Sequence, residues 1–475
     1  MNKGLLIIAA LGMMSMKAES KVVLPHILSN GMVLQQQSKA RIWGWDSPGT
    51  IVKVKASWSD DEYEVKTGSD GKWLVAISTP KASYDKHTIT INDGDETVIK
   101  DVLSGEVWVC AGQSNMEMPV KGFGNCPVDN YNQEVINAAD VKAVRSVKIP
   151  SRMAMTPQED AQCEWKECSP ATVGDFSATG YFFAKTVSKA LGIPVGLIEA
   201  NKGGTRAESW LDYDNLKALG DEPLDTMKII SKFKRDYHRP LVWGNGTFHP
   251  ILNYTVAGII YYQGCSNVGD PGNKYSERLA LLVKQWRRDF KLGDIPFYFV
   301  EIAPYYYDNV KGTGGALLRE QQMRAQQIIP NSALVCTNDL VYPYETTQIH
   351  PSQKQSVGER LAYNALNKTY GMKQIICDSP IYKSMTIKGD TVYVKLDRLE
   401  GAISRYEDIE GFEVAGADKV FHKANARYYW TKGIIITCPK VKNPVAVRYC
   451  FRNFMIGNVK NMGGLPLHPF RTDKW

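Results

Sequence analysis

The sequence predicts an α/β protein, a parallel sheet covered by helices on both faces and flanked by a β-rich segment on each side. Three observations predict it. Between about 103 and 377, short apolar strands alternate with amphipathic helices, the pattern of a parallel sheet buried on both faces. Before that stretch, from 22 to 102, short alternating strands follow one another between polar turns, as in a small β-sandwich. After Cys377 the helical period disappears again. A chain of 475 residues also exceeds what one hydrophobic core serves, so two or three domains are expected.

Residues 1–18 read as a secretory signal peptide. Lys3 supplies the basic start, Leu5 to Met14 the apolar stretch and Ala18 a small residue for cleavage. The apolar run is too short to span a bilayer, so the chain is expected to be exported, periplasmic or secreted, with no membrane span. A cut after Ala18 removes Lys3 and Lys17 and no acid, taking the formal net charge from +7 to 7 − 2 = +5. The basic residues form no block, which gives no nucleic-acid footprint and suits an anionic or a neutral glycan equally.

The β-sandwich is expected over 22–102, from ARIWGW, IVKVKASW, KWLVAI and HTITI separated by Ser-Pro-Gly, Ser-Asp-Asp and Ser-Asp-Gly turns. EVWVC then opens the middle domain as a buried strand running directly into AGQSNM. GYFFAKTVSKAL places Phe183, Val187, Ala190 and Leu191 on one helical face, Gly192 stops that helix, and IPVGLIEA follows as a strand. VAGIIYYQG, IPFYFVEIA and SALVCT are the next strands. The helices between and after them are ERLALLVKQWRRDF (apolar face Leu279, Leu282, Val283, Trp286, Phe290), LLREQQMRAQQII and SQKQSVGERLAYNAL. TVYVKL, GIIIT and PVAVRYC form the β-rich end, over 378–475. Of nine cysteines, Cys163 and Cys168 are close enough in sequence to pair if their loop folds back. No His/Cys cluster has zinc spacing, so no metal is expected.

Ligands of such a sheet bind at the carboxyl ends of its strands. Four of the loops there are small and polar: GQSNM (112–116), NKGGT (201–205), QGCSN (263–267) and the run ending QIHP (348–351). A strand running into a tight turn would expose the Ser114 hydroxyl beside backbone N–H groups, the geometry of a nucleophile with an oxyanion hole. A serine in a turn more often simply caps it. Seven histidines are available as base. His350 begins the loop after the last candidate strand and is favoured; His249 sits at the amino end of a strand, away from the site. Gly203-Gly204 lets backbone approach a ligand closely, or only makes a tight turn. Asn267 could donate to the same oxyanion or cap a helix.

Taken together, these segments resemble the SGNH hydrolases and, within them, the sialate O-acetylesterase family of carbohydrate acetylesterases. The resemblance runs through MVLQQQ with RIWGWDSPG, SGEVWVCAGQSNM, LGIPVGLIEANKGGTRAESW, GTFHPILNYTVAGIIYYQGCSN, IHPSQKQSVGERLA and VRYCFRNFMIGNVKNMGGLPLHPFRT. It implies a flavodoxin-like catalytic domain over 103–377 and no metal or organic cofactor. It further implies Ser114 as nucleophile, His350 as base, and an oxyanion hole from the Ser114 N–H, Gly204 and Asn267. Gln113, Arg206 and Gln348 are expected to touch substrate, Arg206 as a partner for a sialate carboxylate or as a structural ion pair.

Two departures stand out. The family's usual glutamate in YQGESN is Cys265 here, and the aspartate frequent two places before the histidine is Gln348. A carboxylate ordinarily orients the imidazole. Without it, either a Ser–His dyad results or Asp339 or Glu345 substitutes. The expected activity is hydrolysis of O-acetyl groups from acetylated sugars through an acetyl-enzyme, with O-acetylated sialic acid as leading substrate. Alternatives are acetylated xylan or pectin, or a glycan-binding protein on a degenerate esterase scaffold. The sequence sets no oligomeric state.

Overall fold

The computed structural model describes residues 21–141, 143–269, 272–399, 403 and 408–475. The signal peptide expected at 1–18 lies outside them.

The middle of the chain forms a sheet of six parallel strands: β1 (Glu96–Gly112), β2 (Val144–Lys148), β3 (Val195–Asn201), β4 (Gly258–Tyr262), β5 (Phe297–Val300) and β6 (Ser332–Val335). Their order is β6-β5-β4-β1-β3-β2, with a short antiparallel strand, Trp165–Glu167, outside β2. Setting aside the added edge strand β2, the other five follow the order 2-1-3-4-5 of flavodoxin-like sheets. Successive side chains of β1 point to opposite faces. Val107, Val109 and Ala111 join one core, and Trp108 and Cys110 join another. Both faces are covered, which explains why these strands read as unbroken apolar runs rather than alternating ones.

The helices divide between the two faces. Those that matter here are α1 (Ser114–Glu117), α2 (Ala178–Leu191), α3 (Tyr275–Phe290), α4 (Gly314–Ile328) and α5 (Lys354–Asn364). Helices α2 and α5 pack on the Trp108 face, and α3 and α4 on the Val109 face. All five apolar residues expected along α3 are buried there. The buried stripe of α2 is shifted from expectation. Phe183 and Val187 are buried with Tyr181, Ala184 and Ser188, whereas Ala190 is exposed and Leu191 half-buried. In the last turn of α2 only Leu191 still packs against the core, while Lys189 and Ala190 face solvent. Ser177 caps this helix by accepting from Gly180 N at 3.1 Å, and Gly192 ends it at φ 68°.

Strand β1 begins outside this sheet. Its first half pairs with Ser83–Asn92 and with Val33–Gln35, and its second half with β3 and β4. One unbroken strand therefore carries the chain from the opening β segment to the site. The antiparallel pair of Lys39–Trp45 and Lys72–Ser78 makes a second layer against Ile51–Ala56 and its neighbours, and both layers share the core of the Val109 face. Beyond Cys377 two four-stranded antiparallel sheets enclose their own core. They are tied back to the parallel sheet by Arg471–Glu320 (2.9 Å), Gly315 N to Asn453 Oδ1 (2.8 Å) and His468–Glu301 (3.1 Å).

The expected Cys163–Cys168 pairing is corrected. Both thiols are free. The strand Trp165–Glu167 lies between them, and Cys168 enters the core of the Trp108 face while Cys163 packs against the other.

Candidate active site

The site lies where β1 and β4 end side by side, the switch point at which an open α/β sheet holds its ligand. Gly112 makes the approach possible. Its φ is +131°, and a Cβ there would stand 2.3 Å from the Tyr262 carbonyl oxygen. Gln113 N then donates to that carbonyl at 2.9 Å, and the chain turns at once into α1. Ser114, the first residue of that turn, is half-buried. Gln113 itself is 2% exposed, and its Oε1 accepts from Gly264 N at 2.8 Å. Expected on the substrate, its side chain instead ties the β1 and β4 loops together.

The glycine pair lies directly against this turn. A Cβ on Gly203 would come within 3.3 Å of the Ser114 Cβ, and Gly203 N donates to Glu117 Oε2 at 2.6 Å. Gly204, at φ +79°, sits under the Tyr237 ring, where a Cβ would be 2.4 Å from the nearest ring carbon. Its carbonyl accepts from Ser266 Oγ at 2.8 Å. Asn267 is fully buried one loop away. Its Oδ1 accepts from Ala207 N (3.0 Å) and Gln263 Nε2 (2.8 Å), and its Nδ2 donates to Glu208 Oε2 (3.0 Å). The first three polar loops are thus stitched by direct hydrogen bonds.

The fourth loop arrives through Asn115. This neighbour of Ser114 is 1% exposed; its Nδ2 donates to the Ile349 carbonyl at 3.0 Å and its Oδ1 accepts from Lys354 Nζ at 2.9 Å. His350 is therefore held beside the Ser114 turn by a residue 234 positions away from Ile349. A fifth segment, which sequence reasoning did not single out, closes the site. Phe123 meets the imidazole edge-on at 5.2 Å between ring centres, and Cys126 Sγ stands 3.7 Å from Nδ1. Burial, and then the charge of Lys354, push His350 down to about 4, so the ring is neutral at ordinary pH, as a base must be. Lys354 is also buried. Removal from water brings it down to about 7, although Glu345, Cys126 and Cys265 pull the other way. Asn115 and Lys354 lie inside quoted runs, GQSNM and IHPSQK, but nothing local distinguishes them from ordinary turn and helix residues.

The candidate carboxylates are corrected. Asp339 is bound by both Arg360 nitrogens at 2.8 and 2.7 Å and by Lys460 at 2.7 Å; burial opposes ionisation, but these cations keep its acid below the usual value. Glu345 accepts from Ser352 N (2.9 Å) and Tyr342 N (2.8 Å) and so braces the backbone of the His350 loop. Neither is hydrogen-bonded to the imidazole, because each is taken by closer donors. Of the two readings of Arg206, the structural ion pair is the one found. It is 3% exposed and lies 2.7 Å from Glu222 and 3.4 Å from Glu208, with Arg278 completing the buried cluster. Gln348 turns toward the protein: its Oε1 accepts from His350 N at 3.2 Å and lies 3.2 Å from Cys126 Sγ. His249 has its Nδ1 2.7 Å from the Gln158 carbonyl and takes no part.

Among the described residues one group has metal-ligand chemistry, Glu301, Cys336 and His468, all buried. It is satisfied internally. Glu301 takes hydrogen bonds from Cys336 Sγ (3.1 Å) and Thr337 N (3.0 Å) and pairs with His468 Nδ1 (3.1 Å). Burial alone would raise this carboxyl, but His468 and the nearby Arg319 charge hold it low. These contacts pin the C-terminal segment to the sheet.

A doubly wound sheet with this cluster at its switch point is that of a carboxylic ester hydrolase, and comparison with known proteins agrees. The chain belongs to the carbohydrate esterase family of sialic acid-specific acetylesterases, whose description matches residues 104–367. Its relatives include proteins named sialate O-acetylesterase from Pongo abelii and Homo sapiens. Each is 26% identical, over 82% of this chain and 79% of the relative. Among solved structures, a carbohydrate acetylesterase from Xanthomonas citri is 32% identical with a TM-score of 0.84, covering 96% of this chain and all of that one.

Proposed function

We propose that this protein removes O-acetyl groups from carbohydrates, with Ser114 as nucleophile and His350 as general base. The observation that carries the proposal is the Asn115 clamp, which holds the His350 loop against the Ser114 turn while Gly203-Gly204 lies on the other side. His350 takes the Ser114 hydroxyl proton as Oγ attacks the acetyl carbonyl carbon. The oxyanion forms against the N–H groups of Ser114 and Gly204; Asn267, expected as a third donor, is fully buried with its Nδ2 on Glu208 and braces the loops behind them. Collapse expels the sugar oxygen, which takes the proton from the imidazolium. Water, deprotonated by His350, then attacks the acetyl-enzyme and releases acetate with Ser114 restored. No residue in this sequence of steps requires a metal. The basic start and short apolar run within residues 1–18 support an exported enzyme.

O-acetylated sialate is the substrate to which the relatives' names point. A neutral plant polysaccharide is favoured by a different observation. Arg206, the cation weighed as a partner for a sialate carboxylate, is consumed by buried acids. Tyr344, 78% exposed and stacked on Tyr342 at 5.1 Å beside the His350 loop, offers an apolar face to a sugar ring instead. Covalent labelling of Ser114 by a fluorophosphonate, together with acetate release from both substrate classes, tests the proposal. Full turnover by Ser114→Ala would overturn the mechanism; the ratio of the two rates decides the sugar.

A further inference from the structure

The imidazole of a serine hydrolase needs a partner on Nδ1 that keeps the proton there and leaves Nε2 free to accept from the serine. In this chain the groups packed around His350 are the Phe123 ring, Cys126 and the charge of Lys354, with no carboxylate bonded to the ring. We propose, resting on the reading of Ser114 and His350 as nucleophile and base, that Cys126 is the positioning residue of His350. Its sulfur accepts from Nδ1–H while its own S–H donates to Gln348 Oε1.

The hydrogen-bond inventory fixes the direction of this chain. Gln348 Nε2 can only donate, and it faces the Asn125 carbonyl at 3.5 Å. Its Oε1 can only accept, and it takes His350 N at 3.2 Å. With Cys126 Sγ at 3.2 Å from the same oxygen, the thiol proton must lie on the sulfur and point to the amide. Asn125 Oδ1, at 3.3 Å, is a second acceptor on that side. Cys126 is 3% exposed, and burial holds the thiol in its protonated form. The sulfur lone pairs then face Nδ1 at 3.7 Å, a length suited to a weak bond to sulfur. The imidazole is held as the Nδ1–H tautomer with its Nε2 lone pair available. Because the backbone N–H of His350 and the thiol share one acceptor, Gln348 locks the ring and its own main chain together.

A neutral thiol stabilises the imidazolium less than a carboxylate does, so the effect of removing it is expected to be moderate. For Cys126→Ala, kcat for an aryl acetate should fall about tenfold, the scale of one hydrogen bond, with KM unchanged. Cys126→Ser, whose hydroxyl can both accept and donate, should restore most of that loss. An independent readout needs no variant at Cys126: nitrogen-15 NMR of histidine-labelled protein, with the His350 signal assigned by its loss in His350→Gln. The expected result is a protonated Nδ1 and an unprotonated Nε2. A protonated Nε2 in the unmodified protein, or a Cys126→Ala enzyme with unchanged kcat, overturns the inference. Such a result would leave the proposed function standing as long as Ser114→Ala is inactive, so the two failures are distinguishable.

Discussion

Replacing Asn115 by Ala tests the clamp on which the site depends. The side chain is 1% exposed and makes two bonds, from Nδ2 to the Ile349 carbonyl at 3.0 Å and from Lys354 Nζ to Oδ1 at 2.9 Å. A buried amide–carbonyl bond contributes about 1 kcal/mol and a bond to a charged group about 2 kcal/mol, so the substitution should cost about 3 kcal/mol of stability. Lys354 keeps only the Pro351 carbonyl at 2.5 Å, and the Ile349 carbonyl is left without its donor. His350 is the next residue, so its imidazole loses its fixed distance from Ser114. A misplacement of about 1 Å costs about 100-fold in rate, and the loss should appear in kcat, since neither bond touches substrate. The assays are urea unfolding and steady-state hydrolysis of an aryl acetate, with fluorophosphonate labelling of Ser114 as a check on nucleophile activation. A stability loss of the expected size with kcat within about threefold of wild type would refute the reasoning, because the clamp would then hold the fold and not the base.

Three further outcomes follow from the structure. His350, pushed down to about 4 from an ordinary 6.5, should give an acid limb of kcat/KM near pH 4; a limb at 6.5 would show that the imidazole is solvated and free. Its folded value lies below its unfolded one, so the stability it contributes is complete above pH 6.5 and is lost as pH falls through about 4, which acid titration of the urea midpoint measures. Arg206→Ala should leave Glu222 with its longer contacts to Lys232 (3.4 Å) and Arg278 (3.6 Å) and weaken the Glu208 cluster, lowering stability by about 3 kcal/mol without raising KM for either sugar class. A higher KM for sialate at undiminished stability would return Arg206 to the substrate.

Much of this protein was legible in its sequence, and the parts that were not share one cause. Strand and helix periods are local, so IPVGLIEA, VAGIIYYQG and the α3 face Leu279–Leu282–Val283–Trp286–Phe290 reveal the wound sheet without any knowledge of contacts. Three of the four polar loops were found for the same reason, since GQSNM, NKGGT and QGCSN each begin at the end of a strand and parallel strands deliver their carboxyl ends to one edge, while QIHP comes later in the connection after Ser332–Val335. The misread stripe on α2, where Ala190 is exposed, shows the limit of that logic: period identifies a face but not where the neighbouring layer ends. Asp339 and Glu345 were misassigned, and Arg206 was left between two readings, because a charge in a polar loop looks the same whether it meets substrate or a distant ion.

By itself the sequence determined the alternation of strand and helix, the order of GQSNM, NKGGT, QGCSN and QIHP along the chain, and the family to which the chain belongs. Only the tertiary structure decided which polar group faces which. It tied Asn115 to Ile349 across 234 positions, Cys126 to His350 across 224 and Arg278 to Glu208 across 70. The physical reason is that propensity and burial period act between near neighbours. The partner of a buried hydrogen bond or ion pair, in contrast, is chosen by close packing of segments that are remote in sequence.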